Sequence, residues 1–231
     1  RSRVRLTGYT TIASRNSWRC WRVFSDPSET ASPDGAVSDR KDPVSAPQSE
    51  LVALLAELSY KKGEFRLSSG RTSDFYVDVK QTVMTPAGSA LIGRLLLERI
   101  EEAGLHSVGG MAVGAVPLIT AALVEADRRG YELDGFFVRR QSKDHGTAVK
   151  LDGRFDAAKP VALIEDVVTT GGSTIEAAEA VQAAGGQVAL IVVIVDRQED
   201  EGLERLAAIV GQVGRVEALV TKADIVAAAG D

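Results

Sequence analysis

The sequence predicts an α/β fold, a parallel sheet flanked by helices and doubly wound over about residues 64–222. Two observations carry this. Strand-like and helix-like patterns alternate along the chain, which implies crossover connections and hence a parallel sheet. The runs VALI from Val161 and VALIVVIV from Val188 are unbroken apolar stretches, as expected of strands covered on both faces. Ligands of such sheets sit beyond the carboxyl ends of the strands. Arg139, Glu165, Asp166 and Asp196 are all expected there.

The elements follow in order. Leu51, Val52, Leu54, Leu55 and Leu58 form a helical stripe that Gly63 is expected to end. FRL and DFYVDV read as short strands around the turn SSGRTS. Thr85 is a candidate N-cap before Pro86, and the helix it starts buries Leu91, Ile92, Leu95, Leu96 and Ile100, up to Gly104. VGGMAVG reads as strand then turn, and Pro117 opens a helix through Arg129. GFFVRR is a strand, and the polar stretch Gln141–Gly153 a long loop. VALIED, QVALIVVIVD and RVEALVT are strands, separated by the helices STIEAAEAVQAAGG and ERLAAIV. KADIVAAA closes the chain as a short helix, with Thr221 and Asp224 spaced as a capping box. No internal repeat is present.

The bulk numbers exclude several function classes. The chain has 231 residues, 45% hydrophobic and 26% charged, as in a globular domain with an appendage. A net charge of −5 argues against a generic nucleic-acid surface. No stretch approaches the ~18 consecutive apolar residues of a membrane span. Cys20 is the only cysteine, which excludes an intrachain disulfide and a cysteine-based zinc site and fits a reducing compartment, the cytoplasm. Residues 1–48 are expected to be a disordered leader. Its first half has six arginines and no acid, and its second half is rich in Ser, Pro and Asp. A misplaced translation start or cloning remnant is the plainer explanation, and an organelle transit peptide the other. The domain is expected over residues 49–231.

The chemistry concentrates in VALIEDVVTTGGST, residues 161–174. Small residues between a strand and a helix let backbone amides converge on one anion, and the helix adds its positive end. Thr169, Thr170, Ser173 and Thr174 can donate hydroxyl hydrogen bonds. The stretch is neither a P-loop, since no lysine follows the glycines, nor a GxGxxG fingerprint. The adjacent Glu165 and Asp166 would repel a phosphate unless something lies between. A ribose does so, donating its 2- and 3-hydroxyls to the carboxylates while its 5-phosphate enters the loop. Magnesium also suits such oxygens. An ordinary β–α turn with a polar cap is the bland alternative.

This stretch closely resembles the phosphoribosyl-diphosphate signature of the type I phosphoribosyltransferases. FVRRQSKDHGT resembles the mobile catalytic loop of the orotate phosphoribosyltransferases, FRLSSGRTSDFYVD their N-terminal segment over the base, and IVVIVDRQ their strand carrying an orotate-contacting arginine. The resemblance spans roughly Glu50 to Ala228 and implies a small hood, residues 49–84, over a type I phosphoribosyltransferase core of about residues 85–222, with a final helix at 223–231. It implies transfer of a phosphoribosyl group from 5-phosphoribosyl 1-diphosphate to orotate, with Mg2+ held mainly through substrate. It implies a homodimer whose loop reaches the neighbour's site.

Carried onto this chain, the resemblance assigns phosphoribosyl diphosphate to Arg139, Arg140, Lys143, His145, Glu165, Asp166, Val167, Val168, Thr169, Thr170, Gly171, Gly172 and Ser173. Orotate falls to Thr169 and Arg197, and catalysis to Lys143, His145 and Asp166. The cations suit a departing diphosphate, whose charge grows in the transition state. Arg197 suits orotate's carboxylate, because a guanidinium pairs bidentately with one. Alone, RRQSKDHG would read as a solvated charged loop, and Arg197 as a bridge to Asp196 or Glu199. Backbone groups of Ser68-Ser69-Gly70 can serve the base. Two family lysines are absent, at Ser68 and near Gly114. Lys80 lies near the second segment and reads as a surface lysine, the other reading being a substitute for one of these. A purine phosphoribosyltransferase would keep the phosphate loop but lack the combination of RRQSKDHG and DRQ. A non-catalytic sensor would not need the cationic loop.

Overall fold

The computed structural model describes residues 46–66, 72–140, 150–211 and 214–230. A six-stranded sheet forms its centre. It is built from β3 (Ser107–Gly109), β4 (Asp134–Arg139), β5 (Lys150–Gly153), β6 (Val161–Val168), β7 (Val188–Asp196) and β8 (Arg215–Thr221). The order is β5-β4-β3-β6-β7-β8, all parallel except β5, which runs antiparallel to β4 at the edge. The connections are α4 (Ala115–Arg129), α5 (Gly172–Ala183) and α6 (Gly202–Val210), with α3 (Pro86–Glu102) leading into β3 and α7 (Lys222–Ala229) closing the domain. Upstream lie α1 (Ala46–Leu58), the antiparallel hairpin β1 (Tyr60–Arg66) and β2 (Thr72–Val77), and the short α2 (Lys80–Val83).

The apolar runs explain the layering. Side chains alternate across a strand, so β7 sends Leu190, Val192 and Ile194 to one core and Ile191 and Val193 to the other. The first core joins them to Leu51 and Leu55 of α1, Leu95 and Leu96 of α3 and Leu118 of α4. The second joins them to Ala177 and Val181 of α5 and Leu206 of α6. Burial on both faces demands an apolar residue at every position, and this is why the run is unbroken. Thr85 caps α3, its hydroxyl accepting from Gly88 N at 3.1 Å with Pro86 at the first position. The Thr221–Asp224 capping box forms at α7.

The structure departs from the sequence expectations in several places. Helix α1 ends at Leu58, and Gly63 sits within β1 instead of stopping the helix. The chain turns at Ser59, whose hydroxyl lies 2.6 Å from that of Thr82, and this long-range contact is invisible to periodicity. Helix α4 starts at Ala115, so Pro117 lies within its first turn, where a missing N–H costs nothing. The end of the predicted loop, Lys150–Gly153, is a strand because β4 offers it an edge. The leader expected over 1–48 lies outside the described residues up to position 45, and α1 begins inside its last part. Gln48 is already buried there and donates to the Leu219 carbonyl at 3.3 Å.

Candidate active site

The register of the sheet assembles the site. Val168 pairs with Asp196 and Asp196 with Thr221, so the carboxyl ends of β6, β7 and β8 are level. Glu165 and Asp166 stand near the end of β6, and the loop 169–171 leads into α5. Gly171 takes φ 73°, a left-handed conformation that favours glycine, and its missing Cβ leaves room for Leu206. Helix α5 begins without a side-chain cap. Its positive dipole end lies at the loop, an arrangement that can receive an anion. Thr170 supports the turn, its hydroxyl accepting from Gly172 N at 3.4 Å. Val168 is buried, while Val167, Thr169, Thr170 and Ser173 are half-buried and Gly172 is exposed.

The two acids have different surroundings. Glu165 is buried and accepts a 2.6 Å hydrogen bond from the hydroxyl of Thr174, itself buried. Burial is the main force pushing the Glu165 carboxyl up to about 8, with Asp166 next door adding to it and the Thr174 hydrogen bond working against it. Asp166 accepts from Val167 N at 3.0 Å and binds Lys80 Nζ at 3.2 Å. Lys80 also reaches Asp78 at 2.8 Å. Burial works to lower the Lys80 pKa, but the hydrogen bonds and charges of Asp78 and Asp166 outweigh it and hold the ammonium above the ordinary lysine value. Lys80 is thus a partner of the site carboxylate, not the plain surface lysine that sequence suggested. Gly114 matters to the same group, because a Cβ there would stand 2.8 Å from Asp166 Oδ1.

The Glu165 shift makes stability depend on pH. An unperturbed glutamate titrates at 4.5 and Glu165 at about 8. Between these values the folded chain holds a proton that the unfolded chain releases, so rising pH removes stability from 4.5 up through 8. Glu165→Gln mimics the protonated form. Its melting temperature is expected to match wild type near pH 5 and to exceed it at pH 9. Parallel melting curves across that range would contradict the assignment.

Arg197 is 5% exposed and follows the end of β7, its backbone N–H donating to the Val168 carbonyl at 3.1 Å. Its Nη2 donates to Ser73 Oγ at 3.1 Å and lies 3.2 Å from Glu199 Oε2, and its guanidinium stacks on Phe75 at 4.4 Å. Its Nε is buried without a hydrogen-bond partner. The bridge to Glu199 read as the bland alternative is therefore present, yet the guanidinium keeps an unused donor. Arg139 pairs with Asp152 of β5, and Arg140 with Glu176 of α5 at 2.7 Å, so neither contacts Glu165 or Asp166. Lys143, His145 and the turn Ser68-Ser69-Gly70 lie outside the described residues. Sequence reasoning named Glu199 only as a bridge partner of Arg197, and missed Lys80, Phe75, Ser73 and Lys222 as parts of this site. Only the position of Lys222 directly after a predicted strand signalled it.

No family model matches the chain. Among curated proteins, the orotate phosphoribosyltransferase of Rhodopseudomonas palustris (strain BisB18) is 39% identical over 159 residues, which span 67% of this chain and 85% of that protein. A crystal structure of Mycobacterium tuberculosis H37Rv orotate phosphoribosyltransferase with Fe(III) dicitrate superposes with a TM-score of 0.65 at 35% identity, covering 78% of this chain and 98% of that one. The same enzyme in complex with 5-phospho-α-D-ribosyl 1-diphosphate gives a TM-score of 0.61 at 31% identity, with 78% and 98% covered. The chain belongs to the orotate phosphoribosyltransferase family, and with it to the phosphoribosyl-transferring enzymes of pyrimidine biosynthesis.

Proposed function

We propose that the chain joins orotate to 5-phosphoribosyl 1-diphosphate, releasing diphosphate and orotidine 5-phosphate, with the sugar on Glu165 and Asp166 and its 5-phosphate in the amides that follow. The observation that carries this is the pair of carboxylates near the end of β6, one short loop before a helix whose N-cap residue, Gly171, has no capping side chain. A sugar phosphate spans both, hydroxyls to the acids and phosphate to the amides. The diphosphate complex of the Mycobacterium tuberculosis relative supports the substrate class. Arg197, with Thr169 beside it, takes the carboxylate that distinguishes orotate from uracil. Arg139, Arg140, Lys143 and His145 serve the diphosphate as it leaves, where cations stabilise the transition state more than the ground state. For Arg139 and Arg140 this means exchanging Asp152 and Glu176 for phosphate oxygens.

Magnesium belongs to the same proposal. Among the described residues there is no cluster of three or more His, Cys, Asp or Glu to hold a metal. The donor on offer is Asp166, a hard oxygen that fits an ion keeping most of its ligands from phosphate and water. Bound with the substrate, the ion neutralises diphosphate charge. We place the enzyme in the cytoplasm, in line with the single cysteine. No helix among the described residues is long and apolar enough to cross a membrane.

A homodimer completes the proposal. A groove of about 750 Å³ lies between α3 and α4, and it is lined by Met84, Val113 and Val124, which are 74%, 75% and 58% exposed. Exposed apolar side chains gathered in this way mark association surfaces. Val124→Glu is expected to shift the sedimentation of the full chain from dimer to monomer. A wild-type chain that sediments as a monomer removes this part of the proposal.

The base assignment is tested by kinetics. Arg197→Ala is expected to raise the orotate KM by about 10- to 100-fold, the worth of a charge-assisted contact, with the phosphoribosyl diphosphate KM little changed. Unchanged orotate kinetics would remove Arg197 from the base site. Turnover of adenine or hypoxanthine with orotate inert would replace the proposed acceptor by a purine.

A further inference from the structure

We infer that Lys222 is a specificity-determining residue for the carboxylate of the base, acting with Arg197 through the net charge of a small cluster. The inference rests on the orotate reading above. The sheet register decides the geometry. Next in the chain after the level triplet Val168, Asp196 and Thr221 come Thr169, Arg197 and Lys222, each directly following the last residue of β6, β7 or β8. Ligands of parallel sheets bind at that edge. Lys222 Nζ lies 3.9 Å from the centroid of the Phe75 ring, the same ring on which the Arg197 guanidinium stacks at 4.4 Å. Glu199 joins the two cations, 3.2 Å from Arg197 Nη2 and 3.8 Å from Lys222 Nζ.

The charge count gives Lys222 its role. Arg197 and Glu199 alone form a neutral pair with the guanidinium already engaged, and such a pair attracts a second carboxylate weakly. Lys222 makes the cluster net positive by one, which matches the single carboxylate that separates orotate from uracil. It also offers Glu199 another cation. Arg197 can then turn to the substrate without leaving the half-buried Glu199 carboxylate unpaired. The unpartnered Nε of Arg197 is a donor still waiting for an acceptor.

Two local rules are broken around this cluster. Lys222 is the first residue of α7, at the positive end of the helix dipole, where a cation is disfavoured. Gln198, Asp200 and Glu201 are held left-handed, with φ 57°, 55° and 51°, in the turn that brings Glu199 back onto Arg197. Departures of this kind concentrate at functional sites.

Orotidine 5-phosphate and uridine 5-phosphate differ only by the carboxylate, so their affinities isolate it. Each is titrated calorimetrically into wild type, Lys222→Met, Lys222→Arg, the double variant Lys222→Met with Glu199→Gln, and Arg197→Ala. Lys222→Met is expected to weaken orotidine phosphate about tenfold and to leave uridine phosphate within about twofold. Lys222→Arg keeps the preference. The double variant, again net positive, regains most of it. Equal loss for both nucleotides, no loss, or no recovery in the double variant overturns the inference. Arg197→Ala separates the claims: an unchanged ratio there overturns the orotate reading itself. A ratio that falls in Arg197→Ala but holds in Lys222→Met overturns only the role of Lys222.

Discussion

Asp166→Asn is expected to lower kcat/KM by about 10²- to 10³-fold while leaving the fold intact. The substitution keeps the volume of the side chain and its ability to accept from Val167 N. It removes a charge that serves two partners. One is Lys80, 3.2 Å away in the free chain. The other is the proposed ribose hydroxyl, for which a charged acceptor contributes about 1.5–3 kcal/mol. The rest of the expected loss comes from the positive charge that grows at the anomeric carbon as the diphosphate departs, which a nearby carboxylate stabilises in the transition state. Glu165→Gln is the internal control. Burial already favours the protonated form of Glu165 near neutral pH, so the amide changes less. Steady-state kinetics of both variants, with melting curves, makes the comparison. A loss under tenfold for Asp166→Asn, or a larger loss for Glu165→Gln, would contradict the assignment of the sugar to Asp166.

Lys143→Ala is expected to reduce kcat by about 10³-fold and to leave the orotate KM nearly unchanged. The lysine is assigned to the leaving diphosphate, whose charge is greatest in the transition state, so its removal falls on turnover. Losses shared equally between turnover and orotate binding would argue against a leaving-group role. The proposed dimer adds a second readout. If the loop serves the partner's site, a mixed dimer of Lys143→Ala and Asp166→Asn subunits holds one doubly damaged site and one intact site. Mixing the two inactive proteins should then restore activity. No recovery after subunit exchange would place the loop on its own chain's site.

The elements of the core were legible because their causes are local or periodic. The unbroken run of β7 reflects a strand buried on both faces, and the spacing of Thr221 and Asp224 reflects a cap closed within one turn. The loop proposed to hold the phosphate was legible for the same reason, since Glu165 to Thr174 are neighbours in the chain. Strand β5 and the end of α1 were not, because each depends on a distant partner: β4 for the first, Thr82 for Ser59 in the second.

The site divides along the same line. Sequence alone determined the α/β alternation, the carboxylate pair with its glycine loop, and Arg197 at a strand end, because each is written within a few consecutive residues. Tertiary structure decided that Lys80 meets Asp166, that Thr174 holds a buried Glu165, and that Arg197 and Lys222 share one phenyl ring with Glu199 between them. Those contacts join separate strands and helices. The last of them exists only once the parallel register has brought the ends of β7 and β8 level, and no spacing in the chain encodes that register by itself.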